Sequence, residues 1–132
     1  SIKDWIGSNK PYKKGYWLDD WNSYSLSIRV VVWMQQFERR GNALSQTEKT
    51  IFLRSLVAQV RFLKSNLEVD IGGNHLVKNI KALLWASQFF EGREADRWGE
   101  LGSKLLEKAI ELEKDKQKLK TAEILCLDMV VF

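Results

Sequence analysis

Several residue types that shape small proteins are scarce in this 132-residue chain, and each scarcity excludes a kind of structure. There are 8 glycines and 1 proline, which disfavours a β-sandwich built on tight turns. The only cysteine, Cys126, excludes an internal disulfide. One histidine and one cysteine are also too few to form a metal site. We therefore expect neither a bound metal nor another cofactor.

Long apolar runs and a strong charge of one sign are also missing. No apolar stretch approaches the ~20 residues that a membrane-spanning helix needs, so we expect no membrane span. The formal net charge is +4, from 21 basic and 17 acidic residues. A nucleic-acid-binding protein usually has a denser basic patch, so we expect no nucleic-acid partner. A mild positive excess suits an acidic partner such as a uronic-acid glycan, without identifying it.

Apolar residues recur with the 3.6-residue period of an α-helix along most of the chain. The valines at residues 30–32 would also suit a strand, but the helical period continues past them. Ser45 and Glu48 have the spacing of a capping box, which marks a helix start, and Gly92 is placed to end a helix. The helical period predicts an all-α fold. Short connections between the helices favour antiparallel hairpins. The predicted helices cover about residues 1–9, 23–40, 45–68, 74–91 and 94–112.

The connection from Asn9 to Asn22 is unusually aromatic and includes Trp17 and Trp21. Aromatic rings stack on the apolar faces of sugars while their polar edges stay in water, so both tryptophans are candidate substrate-binding residues. The alternative is that they fill the helical core, where tryptophan is commonly buried. Arg29 is a further candidate, because a guanidinium binds a carboxylate or sulfate through two hydrogen bonds. Its alternative is a solvated residue or a structural ion pair.

The stretch from Gly72 to Trp85 has two glycines, an amide and the only histidine in front of an apolar helix. A helix N-terminus offers free N–H groups and the positive end of the helix dipole, which suit a carboxylate. Glycines there let a ligand approach the backbone closely. One interpretation makes Asn74 an ordinary N-cap and His75 a surface residue. The other makes Asn74 and His75 ligand-contacting groups in a cleft.

The segment that begins at Gly72 resembles the helical hairpin of the heparinase II/III-like polysaccharide lyases. Those enzymes carry a GNHL-x-x-N-x-K/R-A-L segment, then an aromatic pair followed by E-G, then a helix bearing a tryptophan. The corresponding residues here are Gly73-Asn74-His75-Leu76, Asn79, Lys81-Ala82-Leu83, Phe89-Phe90-Glu91-Gly92 and Trp98. An earlier helix of the same family is similar to the upstream residues Trp17, Trp21, Tyr24-Ser25-Leu26-Ser27-Ile28-Arg29 and Trp33. The likeness covers about residues 1–113.

The resemblance implies that residues 1–113 are part of an incomplete (α/α) toroid, whose hairpins surround a sugar-binding groove. It implies a bacterial lyase, periplasmic or secreted, that cleaves an acidic polysaccharide containing uronic acid, such as heparan sulfate or alginate, by β-elimination. In that reaction Asn74 neutralises the substrate carboxylate and His75 is a second contact. The implied substrate-binding residues are Arg29, Trp17, Trp21 and Tyr24.

Residues 114–132 depart from the family pattern, and we expect an atypical tail that is first charged and then apolar. The family has a catalytic tyrosine in this region, whereas this sequence has no tyrosine after Tyr24. Truncation, frameshift or divergence would each explain the difference. We therefore expect a lyase fragment that is separated from its C-terminal β-sheet domain and is inactive alone. The alternative is a non-catalytic helical module that binds a glycan or another protein.

Overall fold

A computed structural model describes residues 2–8, 21–67 and 74–115. They contain α-helices and one short 3₁₀ turn, with no strand in the described ranges, so the predicted all-α class is confirmed. Trp17 and the tail from residue 116 lie outside the described residues. The helices are α1 (Ile2–Ser8), α2 (Ser23–Arg40), α3 (Gln46–Ser65), α4 (Asn74–Phe89) and α5 (Arg93–Asp115), with the 3₁₀ turn at Gly41–Ala43.

Local hydrogen bonds define where α2 and α3 begin. The Asn22 side chain accepts the N–H of Ser25 at 2.9 Å and caps α2. At α3 the predicted capping box is confirmed, because Ser45 Oγ accepts the Glu48 N–H and Glu48 Oε1 accepts the Ser45 N–H, each at 3.1 Å. The hydrogen bond from the Ser45 backbone holds the pKa of the Glu48 carboxyl below its usual range.

The connection between α4 and α5 is short and turns at Gly92. This glycine has φ of +115°, in the left-handed region that glycine adopts readily. Its carbonyl accepts the N–H of Asp96 at 3.0 Å, so Gly92 opens α5 as well as separating it from α4. The predicted break between the two helices is therefore confirmed, but Gly92 does not cap the end of α4, which ends at Phe89, two residues earlier than expected.

Both helix pairs joined by a short connection or turn are antiparallel, as predicted. In α4–α5, Gly102 lies against Leu84 near the middle of the pair. Ala109, near the C-terminus of α5, packs with Leu76 and Ile80 in the N-terminal half of α4. In α2–α3, Trp21 meets Phe62 at a ring-centroid distance of 5.0 Å. At the other end of that pair, Phe37 and Phe52 stack at 5.4 Å.

Helices α2 and α4, by contrast, run parallel. Tyr24 contacts His75 near their N-termini, and Phe37 contacts Phe89 near their C-termini. The N-termini of two helices therefore lie side by side at one end of the molecule. The closure of these hairpins into a toroid stays a prediction.

The core lies between α2, α3, α4 and α5, and the apolar stripes predicted from the 3.6-residue period face it. The fully buried side chains also include polar groups, which the period does not predict. The largest fully buried residues are Trp98, Leu26, Met34, Leu56, Leu63, Ile80, Leu83, Gln59, Val30, Val60, Asn79 and Ser27. None of the described helices is long and apolar enough to cross a membrane.

Candidate functional site

The paired N-termini of α2 and α4 form the candidate site. Each helix start carries N–H groups outside the helical hydrogen-bond pattern and the positive end of a dipole, so their pairing favours an anion. Asn22 already accepts one such N–H at α2. Asn74 is the first residue of α4, and its side chain lies outside the described part of the structure. Its predicted role toward a carboxylate therefore stays a prediction.

Tyr24 and His75 join the two helix starts directly. Their rings stack with centroids 4.5 Å apart and planes inclined by 29°. The Tyr24 side chain is half-buried, whereas His75 is exposed. Two residues that the family resemblance implied for the site thus come together through tertiary packing. The stack presents imidazole and phenol groups at the mouth of two helices, and both can bond to a polar ligand.

Asn79 lies beneath this stack, one turn further along α4. Its side chain has 0% exposure. Nδ2 donates a hydrogen bond to the carbonyl of His75, while Oδ1 has no hydrogen-bond partner among the described residues. An unpaired buried acceptor costs about 1–3 kcal/mol, which offsets or exceeds the gain from one ordinary hydrogen bond. The sequence offered one signal for this residue, an amide three positions after Leu76 on an otherwise apolar face.

Arg29 is held by neighbours within the chain. Its Nε donates to Oε1 of the fully buried Gln59 at 2.7 Å. Its guanidinium carbon lies 4.1 Å from the ring centroid of Trp5 and 5.7 Å from that of Trp21, both within cation–π range. These contacts tie α1 to α2 and α3, which the sequence did not reveal. A substrate-binding role for Arg29 stays a prediction.

Trp21 has the contacts of a core residue. Its exposure is 4%, and its ring meets Trp5 at 6.2 Å and Phe62 at 5.0 Å. This environment matches the second alternative for Trp21, because a ring packed on two sides offers little surface to a sugar. Stacking of Trp21 or Trp17 on a substrate is untested, and Trp17 lies outside the described residues.

A cavity of about 330 Å³ lies between α1, the C-terminal end of α2 and the start of α3. Its walls are mainly apolar, with Ile6, Phe37 and Phe52 among the lining residues. None of the predicted site residues that the structure describes lines it. Apolar walls suit a charged glycan poorly, so we do not assign the site there. Among the side chains that the structure describes, no group of three or more His, Cys, Asp or Glu could hold a metal ion.

Comparison with known proteins gives one match. Residues 1–116 match the protein family described as Heparinase II/III N-terminus. The match includes the start of α4 with Asn74 and His75, and the start of α2 with Tyr24. No curated protein and no solved structure matches the chain.

Proposed function

The chain belongs to the heparinase II/III N-terminal family, and on this basis we propose that it is the helical part of a polysaccharide lyase. Its substrate would be an acidic glycan containing uronic acid, such as heparan sulfate or alginate. Residues 1–113 would form part of an incomplete (α/α) toroid, followed by an atypical tail over residues 114–132. The C-terminal β-sheet domain that the family resemblance implies would be its structural partner.

The observation that supports this proposal is the meeting of two helix N-termini at the Tyr24–His75 stack. β-Elimination removes the proton at C5 of the uronate, which is not acidic while the adjacent carboxylate keeps its full charge. Hydrogen-bond donors aimed at that carboxylate stabilise the charge that develops in the transition state. The Asn74 amide and the helix N–H groups supply such donors without titrating, and His75 supplies a second contact.

The family resemblance assigns the proton transfers to groups that have no counterpart in this segment. A general base must take the C5 proton, and a general acid must protonate the leaving oxygen. The family resemblance implies a tyrosine for this step, and this sequence has no tyrosine after Tyr24 and no second histidine. We therefore expect the 132-residue chain alone to bind a uronate glycan without cleaving it. A sustained rise in absorbance near 232 nm, from unsaturated uronate, would contradict that expectation.

Asn74→Asp separates the two interpretations of Asn74. Aspartate caps a helix as well as asparagine does, so folding should be unchanged if Asn74 is only a cap. If Asn74 faces the substrate carboxylate, a negative charge there should lower affinity for a uronate oligosaccharide by at least about tenfold. Calorimetric titration of the purified chain measures this directly. Unchanged affinity and melting temperature in the Asp variant would leave Asn74 as a cap.

In a longer, active protein that contains this segment, the same residue should govern the rate. Asn74→Ala should lower kcat by roughly 10²–10³, the scale for removing one donor to a developing negative charge. KM should change less, because the contact strengthens as the charge develops.

The second candidate is a non-catalytic helical module that binds a glycan or another protein. This role needs neither a tyrosine after Tyr24 nor a second histidine. DNA sequence on both sides of this segment distinguishes the two candidates. A downstream reading frame with the tyrosine and a β-sheet domain supports the lyase, and its absence supports the binding module.

A further inference from the structure

We propose that Asn79 is a positioning residue that fixes the first turn of α4 and, through it, the His75 ring on Tyr24. The functional importance of that position rests on the proposed function, since it assumes that the α4 N-terminus receives the glycan. The contact itself is independent of any substrate. Asn79 does not face the ligand in this proposal and acts only through the His75 backbone.

The geometry gives the His75 carbonyl two donors. In an α-helix this oxygen accepts the backbone N–H four residues later, which is that of Asn79. The Asn79 side chain adds a second hydrogen bond to the same oxygen. First turns fray because their N–H groups have no partners within the helix. A second donor on the His75 carbonyl holds the following peptide group in the helical orientation, and with it the direction in which the His75 side chain leaves the backbone.

A purely stabilising role does not explain an asparagine here. The side chain is fully buried beside the apolar residues Leu76 and Ile80. Asparagine is a poorer helix former than alanine or leucine. Its Oδ1 remains without a partner among the described residues, which is unfavourable in a buried position. An apolar side chain would avoid both penalties, so the donor to His75 is what distinguishes asparagine at this position.

The His75 ring is the part of the site that this bond controls. It lies 4.5 Å from the Tyr24 ring, which belongs to another helix. A shift of the first turn of α4 would move the imidazole off the phenol, because the stack depends on both helix starts keeping their positions. The proposal therefore predicts that loss of the Asn79 donor changes the His75 environment more than it changes the stability of the fold.

The test compares Asn79→Ala with Asn79→Ser in the full 132-residue chain. A serine inside a helix can donate its hydroxyl to the carbonyl four residues earlier. The described part of this chain already shows such bonds, from Ser27 to the Ser23 carbonyl at 2.7 Å and from Thr50 to the Gln46 carbonyl at 3.0 Å. The two variants thus differ by one hydroxyl, and only the serine variant restores a donor to His75.

His75 is the only histidine, so its ring protons give isolated signals in proton NMR. The Tyr24 ring current displaces these signals in the wild type, and Tyr24→Leu defines the undisplaced position. We expect Asn79→Ala to lose at least half of the displacement and Asn79→Ser to keep most of it. The urea unfolding midpoint of Asn79→Ala should stay close to wild type. Equal displacement in wild type and Asn79→Ala, or equal loss in both variants, would overturn the proposal.

Ser87→Ala is the matched control. Ser87 Oγ also donates to a backbone carbonyl of α4, that of Leu84 at 2.7 Å, but near the other end of the helix. Removing it should leave the His75 signals unchanged. A change as large as that of Asn79→Ala would show that any loosening of α4 reaches His75, and the specific role of Asn79 would be wrong.

A binding experiment tests whether the position of the His75 ring affects glycan binding. Affinity for a uronate oligosaccharide should fall about three- to tenfold in Asn79→Ala, the scale of one hydrogen bond, and should recover in Asn79→Ser. If the wild-type chain binds no uronate oligosaccharide, the proposed function fails, while the NMR comparison still decides the role of Asn79. The His75 signals of Asn79→Ala could move while its affinity for the oligosaccharide stays at the wild-type value. That result would overturn the functional part of this proposal and leave the structural part standing.

Discussion

The two ends of the parallel α2–α4 pair are built from different chemistry. At the C-terminal end, Phe37 meets Phe89 edge-on at 5.7 Å and stacks on Phe52 at 5.4 Å. This group continues through Phe90 to Trp98, whose rings are 6.0 Å apart. At the N-terminal end, Tyr24 stacks on an exposed His75. Below them lies the buried amide of Asn79, whose oxygen has no hydrogen-bond partner in the part of the chain that the structure describes.

We expect the aromatic end to contribute most of the folding stability and the polar end to contribute to ligand recognition. Phenylalanine pairs such as Phe37–Phe89 gain from area and ring geometry together, with no polar group to satisfy. Polar side chains at a helix start gain little net stability, because each leaves water or another partner to make its bond. The aromatic end therefore holds the pair together, and the polar end remains the candidate surface for a ligand. Four substitutions test this division, in order of decreasing effect on the free energy of unfolding.

Trp98→Ala, at the aromatic end, should have the largest effect. Trp98 has 2% exposure, and truncating a buried tryptophan typically lowers stability by about 3–5 kcal/mol. Urea unfolding followed by circular dichroism measures the loss. Trp98→Phe is the control and should lose much less, since it keeps an aromatic ring and removes an Nε1 that has no partner among the described residues. Equal losses in both variants would contradict the importance of ring packing here.

Gly102→Ala, in the middle of α4–α5, should have the next largest effect. A Cβ at this position would lie 2.9 Å from Leu84 Cγ, so the Leu84 side chain or the helices themselves would have to shift. Overpacking of this kind costs roughly 1–3 kcal/mol, reduced by up to ~1 kcal/mol through better helix propensity. Gly7→Ala in α1, where a Cβ meets nothing within 4 Å, is the matched control. A Gly102→Ala protein as stable as wild type would show that this contact is not tight.

Tyr24→Leu, at the polar end, should lower stability by only about 1 kcal/mol, the worth of one aromatic pair beyond its buried area. It should weaken uronate oligosaccharide binding, because the His75 ring loses its support. Parallel urea unfolding and calorimetric titration give the two values. The division between the two ends fails if Tyr24→Leu destabilises the chain as much as Trp98→Ala does.

The Arg61–Glu94 ion pair should have the smallest effect. The two groups bond through Nε–Oε2 at 2.8 Å and Nη2–Oε1 at 2.7 Å, but their side chains are 61% and 42% exposed. Exposed ion pairs contribute little to stability. The hydrogen bond from Arg61 lowers the pKa of Glu94 from its ordinary value of 4.5. The contribution is therefore present above pH 4.5 and is lost as the pH falls through the lowered pKa.

Glu94→Gln should accordingly be slightly less stable than wild type at pH 7, and the difference should disappear in acid. Thermal unfolding across this pH range provides the comparison. Asp96→Asn, also in the first turn of α5, controls for the interaction with the helix dipole. A difference that grows toward low pH would contradict the assigned sign.

Part of this architecture is predictable because it depends on neighbours in the sequence. The Ser45–Glu48 capping box, the helix through the valines at residues 30–32 and the turn at Gly92 all follow from local spacing and backbone preference. Helix boundaries moved by a few residues, since α3 ends at Ser65 rather than near residue 68. Frayed ends depend on tertiary contacts that spacing does not encode.

For the candidate site, the residues alone indicated the start of α4, and only the tertiary structure showed that the start of α2 lies beside it. The glycines, the amide and the histidine before α4 indicated Asn74 and His75. The stack of His75 on Tyr24 requires α2 and α4 to run parallel, and no local pattern predicts that. The cation–π contact of Arg29 with Trp5 likewise depends on where α1 packs.

The sequence by itself determined the helices, their caps, their apolar faces and the family, because each is written in residues close together in the chain or in a recognisable motif. The tertiary structure decided which helix starts meet, why Gly102 must be small, and that Gln59 and Asn79 are buried. Such facts depend on contacts between distant segments. A polar side chain looks the same in the sequence whether it faces water or another helix, and only packing determines which surface it meets.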